Sequence, residues 1–200
     1  MITEVSTSQK AVAITFDDGP NPTYTPQVLE IFAKAEGKAT FFMIGEQMEK
    51  NQKLVKEAAE QGHEIGNHTY THPKLSELTP AESLSEIERT EKLIRELTGK
   101  EPVTFRPPYF DYNDGTISVV ETKGYSMIGA VNLEAQDWDQ PGMEHILSAS
   151  RNSVKNGSIL IFHDGYGDRS QTIQAVQALV SELKSEGYQL LTVSELLNLK

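Results

Sequence analysis

Ala11-Val12-Ala13-Ile14-Thr15-Phe16-Asp17-Asp18-Gly19-Pro20 is an apolar run that stops abruptly on two adjacent carboxylates and a Gly-Pro turn. Neighbouring side chains of a continuing strand point to opposite faces. Asp17 and Asp18 can therefore converge on one site only if the strand ends there, and Gly19-Pro20 supplies the break. A carboxylate pair at a strand end suits divided labour, one group ligating a cation and the other taking a proton. The plainer reading is an Asp-Gly turn in which Asp18 only caps the bend. The polar residues further along the chain decide between the two.

The chain alternates short apolar runs with segments of helical period. Strands are predicted at 11–16, 39–44, 64–66, 103–106, 125–133, 158–162 and 189–193. Between them, Val28, Leu29, Phe32 and Ala33 give one apolar helical stripe, with Thr25 as its expected N-cap before Pro26. Leu54, Val55, Ala58 and Ala59 give a second stripe, ended by Gly62. Thr79 and Glu82 have capping-box spacing and open a long helix that Gly99 ends. Helices are also predicted over 115–123 and 143–155, and Ile173, Val176, Leu179, Val180 and Leu183 mark the clearest amphipathic one. Strict β/α alternation implies about seven parallel strands with helices outside. Periodicity alone leaves a small closed barrel and an open doubly wound sheet as alternatives. No Gly-rich loop follows the first strand, which argues against nucleotide binding.

Length and composition narrow the function. With 200 residues, one domain spanning 1–200 is expected, with no repeat and no linker. The net charge of −11 argues against nucleic-acid and anionic-membrane partners. There is no cysteine, so a metal must be held by His, Asp or Glu. No apolar stretch approaches the ~18 residues of a membrane span, and residues 1–10 lack a signal-peptide core. Either a cytoplasmic protein or an exported one whose leader is missing from this chain is consistent with that, and a monomer is expected.

The unusual polar residues recur at the carboxyl ends of the predicted strands, where α/β proteins gather their function. Asp17 and Asp18 follow the first, His68-Thr69-Tyr70-Thr71-His72-Pro73 the third, Arg106-Pro107-Pro108-Tyr109 the fourth, Glu134 to Trp138 the fifth, and His163-Asp164-Gly165 the sixth. His68 and His72 are four apart, and a tight turn would put both imidazoles on one side. Pro73 disfavours helix at His72. Two His and one Asp form a ligand set that leaves open positions on a cation. Arg106, stiffened by two prolines, can orient a carboxylate. Trp138 and Tyr109 suit a sugar platform, or else plain core. His63 reads as structural and His145 as exposed and without a role.

Together these segments resemble the five motifs of NodB-type polysaccharide deacetylases, carbohydrate esterase family 4, over residues 11 to about 193. The resemblance implies an incomplete or distorted (β/α) barrel that removes acetyl groups from polysaccharides with a divalent metal. Zinc is the first choice, with cobalt, nickel or manganese as alternatives. It implies Asp18, His68 and His72 as metal ligands, Asp17 as general base, His163 as general acid and Arg106 as the group orienting Asp17. The backbone N–H of Tyr109 would bind the oxyanion, and Trp138 and Ile161 would line the acetyl pocket. The fourth motif departs from the family in having Glu134 three residues before Asp137-Trp138. The carboxylate that orients His163 is therefore open between Glu134 and Asp137, with Glu134 slightly favoured. Phe110-Asp111 stands where the family often has glycine, enlarging one cleft wall. The implied substrate is an N-acetylglucosamine polymer, peptidoglycan or chitin-type, which would place the protein outside the membrane or in the cell envelope. The competing readings are an O-acetyl xylan esterase and a catalytically silent carbohydrate-binding domain.

Overall fold

The computed structural model describes residues 1–199. Its strands are β1 (Ala11–Asp17), β2 (Thr40–Met43), β3 (Glu64–Asn67), β4 (Thr104–Phe105), β5 (Ser126–Met127), β6 (Ile159–His163) and β7 (Gln189–Leu191). Its helices are α1 (Thr25–Lys34), α2 (Gly45–Lys50), α3 (Gln52–Glu60), α4 (Pro80–Thr98), α5 (Asp114–Thr122), α6 (Met143–Ser153), α7 (Ser170–Ser185) and α8 (Val193–Leu197). Every strand pairing is parallel, in the order β5-β4-β3-β2-β1-β6, with β7 joined to the amino end of β1. The sheet curls into a distorted barrel.

β5 and β6 are not paired as neighbouring strands, and the amino-terminal segment spans the gap between them. The Ile2 N–H donates to the Met127 carbonyl, and the Ile159 N–H donates to the Thr3 carbonyl. The wall is thus completed by chain that carries little strand pattern of its own.

β1 is buried on both faces, which is why it reads as a continuous apolar run. Its two faces nevertheless differ. Val12, Ile14 and Phe16 pack under the outer helices with Phe32, Phe41 and Phe162. Ala11 and Ala13 face the barrel interior, where Phe42, Ile128 and Leu196 need the room. Small residues inside and large ones outside let the barrel close at native packing density. The same alternation sends Thr15 and Asp17 inward. Parallel register pairs Thr15 with Ile161 and Asp17 with His163, so the functional ends of β1 and β6 emerge side by side.

Most predicted elements occur within one or two residues of their expected limits. Thr79 makes the expected capping box with Glu82, and Gly99 ends α4 at φ 71°. Three readings are corrected. Thr25 is not the N-cap of α1, because its hydroxyl donates instead to the buried Asp164 carboxylate, at 2.5 Å. The predicted 125–133 strand shrinks to Ser126–Met127. Beyond it, the buried Asn132 side chain takes over the pairing, accepting from the Ile161 N–H at 2.7 Å and donating to its carbonyl at 3.0 Å. Helix α2, absent from the sequence reading, follows β2 directly.

Candidate active site and metal centre

The first strand ends as the paired carboxylates require. Asp17 closes β1 in extended backbone, and Asp18 then turns into the left-handed region at φ 74°. Both side chains are buried at the mouth of the barrel. The turn passes so close to the loop after β6 that a Cβ on Gly19 would lie 2.5 Å from Asp164 Oδ1. Only glycine permits that approach.

Asp17 is held by Arg106, the largest fully buried side chain of the molecule. The guanidinium donates to Asp17 Oδ1 and to Thr15 Oγ1, each at 2.7 Å, and to the carbonyls of Ile128 and Gly129. Its Cζ lies 4.3 Å from the Phe42 ring centre. Burial lowers the Arg106 pKa and Asp17 offsets that only in part, so the pair is a desolvated, hydrogen-bonded unit. With Oδ1 occupied, Asp17 Oδ2 is left facing the cleft, 3.7 Å from His68 Nε2.

Asp18 faces the two histidines. Its Oδ1 lies 3.1 Å from His72 Nε2 and 3.4 Å from His68 Nε2, yet this buried oxygen accepts no hydrogen bond. Each imidazole is anchored through its other nitrogen. His68 Nδ1 meets the Arg106 carbonyl at 2.7 Å, and His72 Nδ1 meets the Tyr109 hydroxyl at 3.1 Å. A carbonyl can only accept, so the network assigns the His68 proton to Nδ1 and leaves Nε2 as a lone pair. One ligand atom from each of Asp18, His68 and His72 falls within 4.8 Å of the others. Burial raises the Asp18 carboxyl, and only Nε2–H donors on His68 and His72 would bring it below the usual carboxylate range; with His68 Nε2 a lone pair, a cation would take that stabilising role. An orphaned buried oxygen converging with two imidazole nitrogens fits a divalent cation, and the O,N,N donor set suits zinc or a similar borderline ion.

His63 and His145 lie apart from this cluster. His63 Nδ1 accepts from the Ala39 N–H at 3.0 Å, and burial lowers its pKa to about 4. His145 is exposed on α6, with Nε2 on the Glu134 carbonyl.

Across the cleft, His163 is gripped by Asp137. Asp137 Oδ1 accepts from His163 Nδ1 at 2.8 Å, and Oδ2 accepts from the His163 backbone N–H at 2.8 Å and the Thr172 hydroxyl at 3.1 Å. Burial alone would lower the His163 pKa. Asp137, with Asp17 and Asp18 behind it, overrides burial and raises the value to about 9. A bound cation would pull it back toward neutrality. The preference for Glu134 is therefore corrected. Glu134 sits in a one-turn 3₁₀ segment with its side chain in solvent, and left-handed Gln136, at φ 45°, reverses the chain so that Asp137 is driven inward.

These groups border a cleft of about 370 Å³ whose lining also includes Tyr109, Phe110, Leu133, Trp138 and Ile161. Trp138 is 41% exposed with its ring 5.8 Å from that of His163, and Tyr109 is 65% exposed and packs 4.6 Å from the His72 ring. Neither ring is plain core. Ile161 forms the cleft's buried floor. The sequence reading missed Leu133, which looks like any exposed apolar residue. It also missed Arg169, whose guanidinium ties the Gly165, Asp137 and Trp138 carbonyls together. A lone Arg before a helix gives no signal of that job.

A carboxylate, an imidazole and a candidate cation site around one cleft are the parts of metal-assisted hydrolysis. The family model for polysaccharide deacetylase matches residues 4–128. A peptidoglycan-N-acetylglucosamine deacetylase of Bacillus cereus is 42% identical over 98% of this chain and 92% of its own length. Among solved structures, a peptidoglycan N-acetylglucosamine deacetylase in complex with 4-naphthalen-1-yl-N-oxidanyl-benzamide superposes with a TM-score of 0.93. That match is 28% identical and covers 99% of this chain and 92% of the other. A family 4 acetyl xylan esterase from Clostridium thermocellum, solved with a cobalt ion, gives 0.88 at 31% identity, covering 95% of this chain and 91% of the other. The chain belongs to the polysaccharide deacetylase family, and it is a hydrolase of that class.

Proposed function

We propose that this protein removes acetyl groups from N-acetylglucosamine-containing glycans, of the peptidoglycan or chitin-oligomer type, with zinc as its divalent cation. The observation that carries this reading is the in-register pairing of Asp17 with His163 across β1 and β6. It brings a carboxylate and an imidazole side by side on the rim that also carries Asp18, His68 and His72. Bound there, the cation supplies Lewis acidity to the reaction. Asp17, with one oxygen held by Arg106, takes a proton from water through the other as the water oxygen bonds to the acetyl carbon. The Tyr109 N–H donates to the carbonyl oxygen as negative charge develops there. His163 gives its proton to the amide nitrogen as the carbon–nitrogen bond breaks, leaving acetate and a free amine. Asp137 keeps the imidazolium oriented, while Trp138 and Ile161 enclose the acetyl methyl.

A binding module would need neither the desolvated Arg106–Asp17 pair nor the Asp137–His163 pair, and these count against a silent domain. The polymeric substrate argues for action at the cell envelope or outside the cell. None of the helices among the described residues is long and apolar enough to cross a membrane. The test is acetate release from N-acetylglucosamine oligomers, peptidoglycan and acetylated xylan, each with and without chelation. Chelator-sensitive release from the first two is expected. Release from xylan alone would replace the amidase reading with esterase action.

A further inference from the structure

The backbone that carries the two candidate ligand histidines is unfavourable on its own. Thr69 and His72 adopt left-handed φ values of 66° and 63°. That region is costly for any residue with a Cβ, and most of all for β-branched threonine. The five residues from His68 to His72 therefore keep this shape only because neighbours impose it.

The neighbours act on opposite sides of the loop. Its carbonyls are taken by the first turn of α2, where the Gly45 N–H donates to Thr69 and the Glu46 N–H to Tyr70, both at 3.0 Å. Its two central N–H groups are taken by one side chain on α4. Glu86 Oε2 accepts from the Tyr70 N–H at 2.9 Å and from the Thr71 N–H at 2.7 Å. Glu86 Oε1 accepts from the Thr71 hydroxyl at 3.0 Å. The carboxylate is half-buried, and its neighbour Ile87 is fully buried, so it is held on a packed helix. From the next turn of α4, the Arg89 guanidinium lies 3.4 Å from the centre of the Tyr70 ring.

We infer that Glu86 is a positioning residue for the metal centre. By clamping the Tyr70 and Thr71 amides, it holds the loop in the one shape that aims both His68 Nε2 and His72 Nε2 at Asp18. The inference rests on the metal reading of Asp18, His68 and His72. Groups that orient ligands from outside the coordination sphere typically change metal affinity about 10- to 100-fold when removed. Without Glu86, the central amides can turn to water and the left-handed residues relax. The cost then falls on cation binding more than on the barrel, which α4 still covers.

The test is zinc affinity, measured by competition with a chromophoric chelator, alongside thermal melting of the metal-free protein. Glu86→Ala is expected to weaken zinc binding about 10- to 100-fold and to recover acetate release when zinc is raised to saturation. Glu86→Gln keeps a carbonyl oxygen for the two N–H groups and is expected to stay within a few-fold of wild type. Should Glu86→Ala fail to fold, Glu86→Asp retains the charge but draws the carboxylate back by one methylene, and the same loss is expected. Folded Glu86→Ala or Glu86→Asp protein that binds zinc as the wild type does would overturn the inference. A wild type that binds no zinc would instead overturn the metal reading itself.

Discussion

Asp137→Asn should displace the alkaline limb of the pH–rate profile to lower pH by about two units or more. In the folded protein His163 titrates at about 9. Asp137 supplies both the nearest charge and the Nδ1 hydrogen bond. Asparagine removes the charge and turns one former acceptor into an amide donor. That donor must face either His163 Nδ1 or the His163 backbone N–H, both of which Asp137 now satisfies. Either placement removes the preference for imidazolium. If the pKa returns only to the ordinary value near 6.5, the loss is worth about 3 kcal/mol, at about 1.4 kcal/mol per pH unit.

At pH 8.5 roughly three-quarters of wild-type molecules would then carry the proton, against about one in a hundred of the variant. The variant's deficit in kcat should therefore grow by on the order of 50-fold between pH 6 and pH 8.5. A bound cation lowers both values, so the displacement of the alkaline limb is the quantity to compare. The stability of the metal-free protein gives a second readout. A histidine whose folded pKa lies above its unfolded one stabilises fully below about 6.5, and the benefit disappears as pH rises through about 9. The wild type should lose that increment over this window, and Asp137→Asn should have little of it to lose. An alkaline limb that stays in place in Asp137→Asn, or that moves in Glu134→Gln instead, would refute the assignment.

Asp17→Asn should leave zinc content near normal while lowering turnover about 100-fold or more, the scale of a lost general base, whereas Asp18→Asn should lose zinc; equal depletion of both in metal analysis would contradict the division. Arg106→Met should destabilise by about 3–5 kcal/mol, because it strands the buried Asp17 charge, and adding Asp17→Asn should recover part of that in thermal denaturation. Burial, reinforced by Asp18 and Asp17, raises Asp164 to about 7, so the metal-free fold should weaken from about pH 4 to pH 7 as this acid is forced to ionise. Asp164→Asn should flatten that segment of the melting-temperature profile, and an unchanged slope would show that Asp164 is not its source. His163→Ala should abolish amide cleavage far more completely than any ester cleavage, because an amine leaves poorly without a proton; equal losses on both substrates would tell against His163 as the acid.

Much of this architecture is legible in the chain because the barrel imposes a strong pattern where it is best packed. β1 has neighbours on both edges and is buried on both faces, so its apolar run and its abrupt end could be read directly. β5 could not, because its continuation pairs through the Asn132 side chain and with chain near Ile2 rather than through a regular ladder. Asp18, His68 and His72 were legible as a set because each follows a strand, and strand ends in such a fold share one rim. The partner of His163 was not, because Glu134 and Asp137 lie only three residues apart and the outcome turns on the left-handed backbone of Gln136.

Glu86 was illegible for a related reason. A glutamate in the middle of a charged helix looks like any solvated residue until the loop it faces is seen to have two amides and nowhere else to place them. Residues that perform chemistry at strand ends thus announce themselves by type and position, since few other uses put acids and histidines there. Residues that hold them in place are chosen only for reach and hydrogen-bond geometry, and many positions along a helix offer both. The second group surrounds the first wherever the backbone is strained, as at Thr69 and His72. In this chain, then, the left-handed non-glycine residues of the histidine loop mark where the supporting side chain is to be sought.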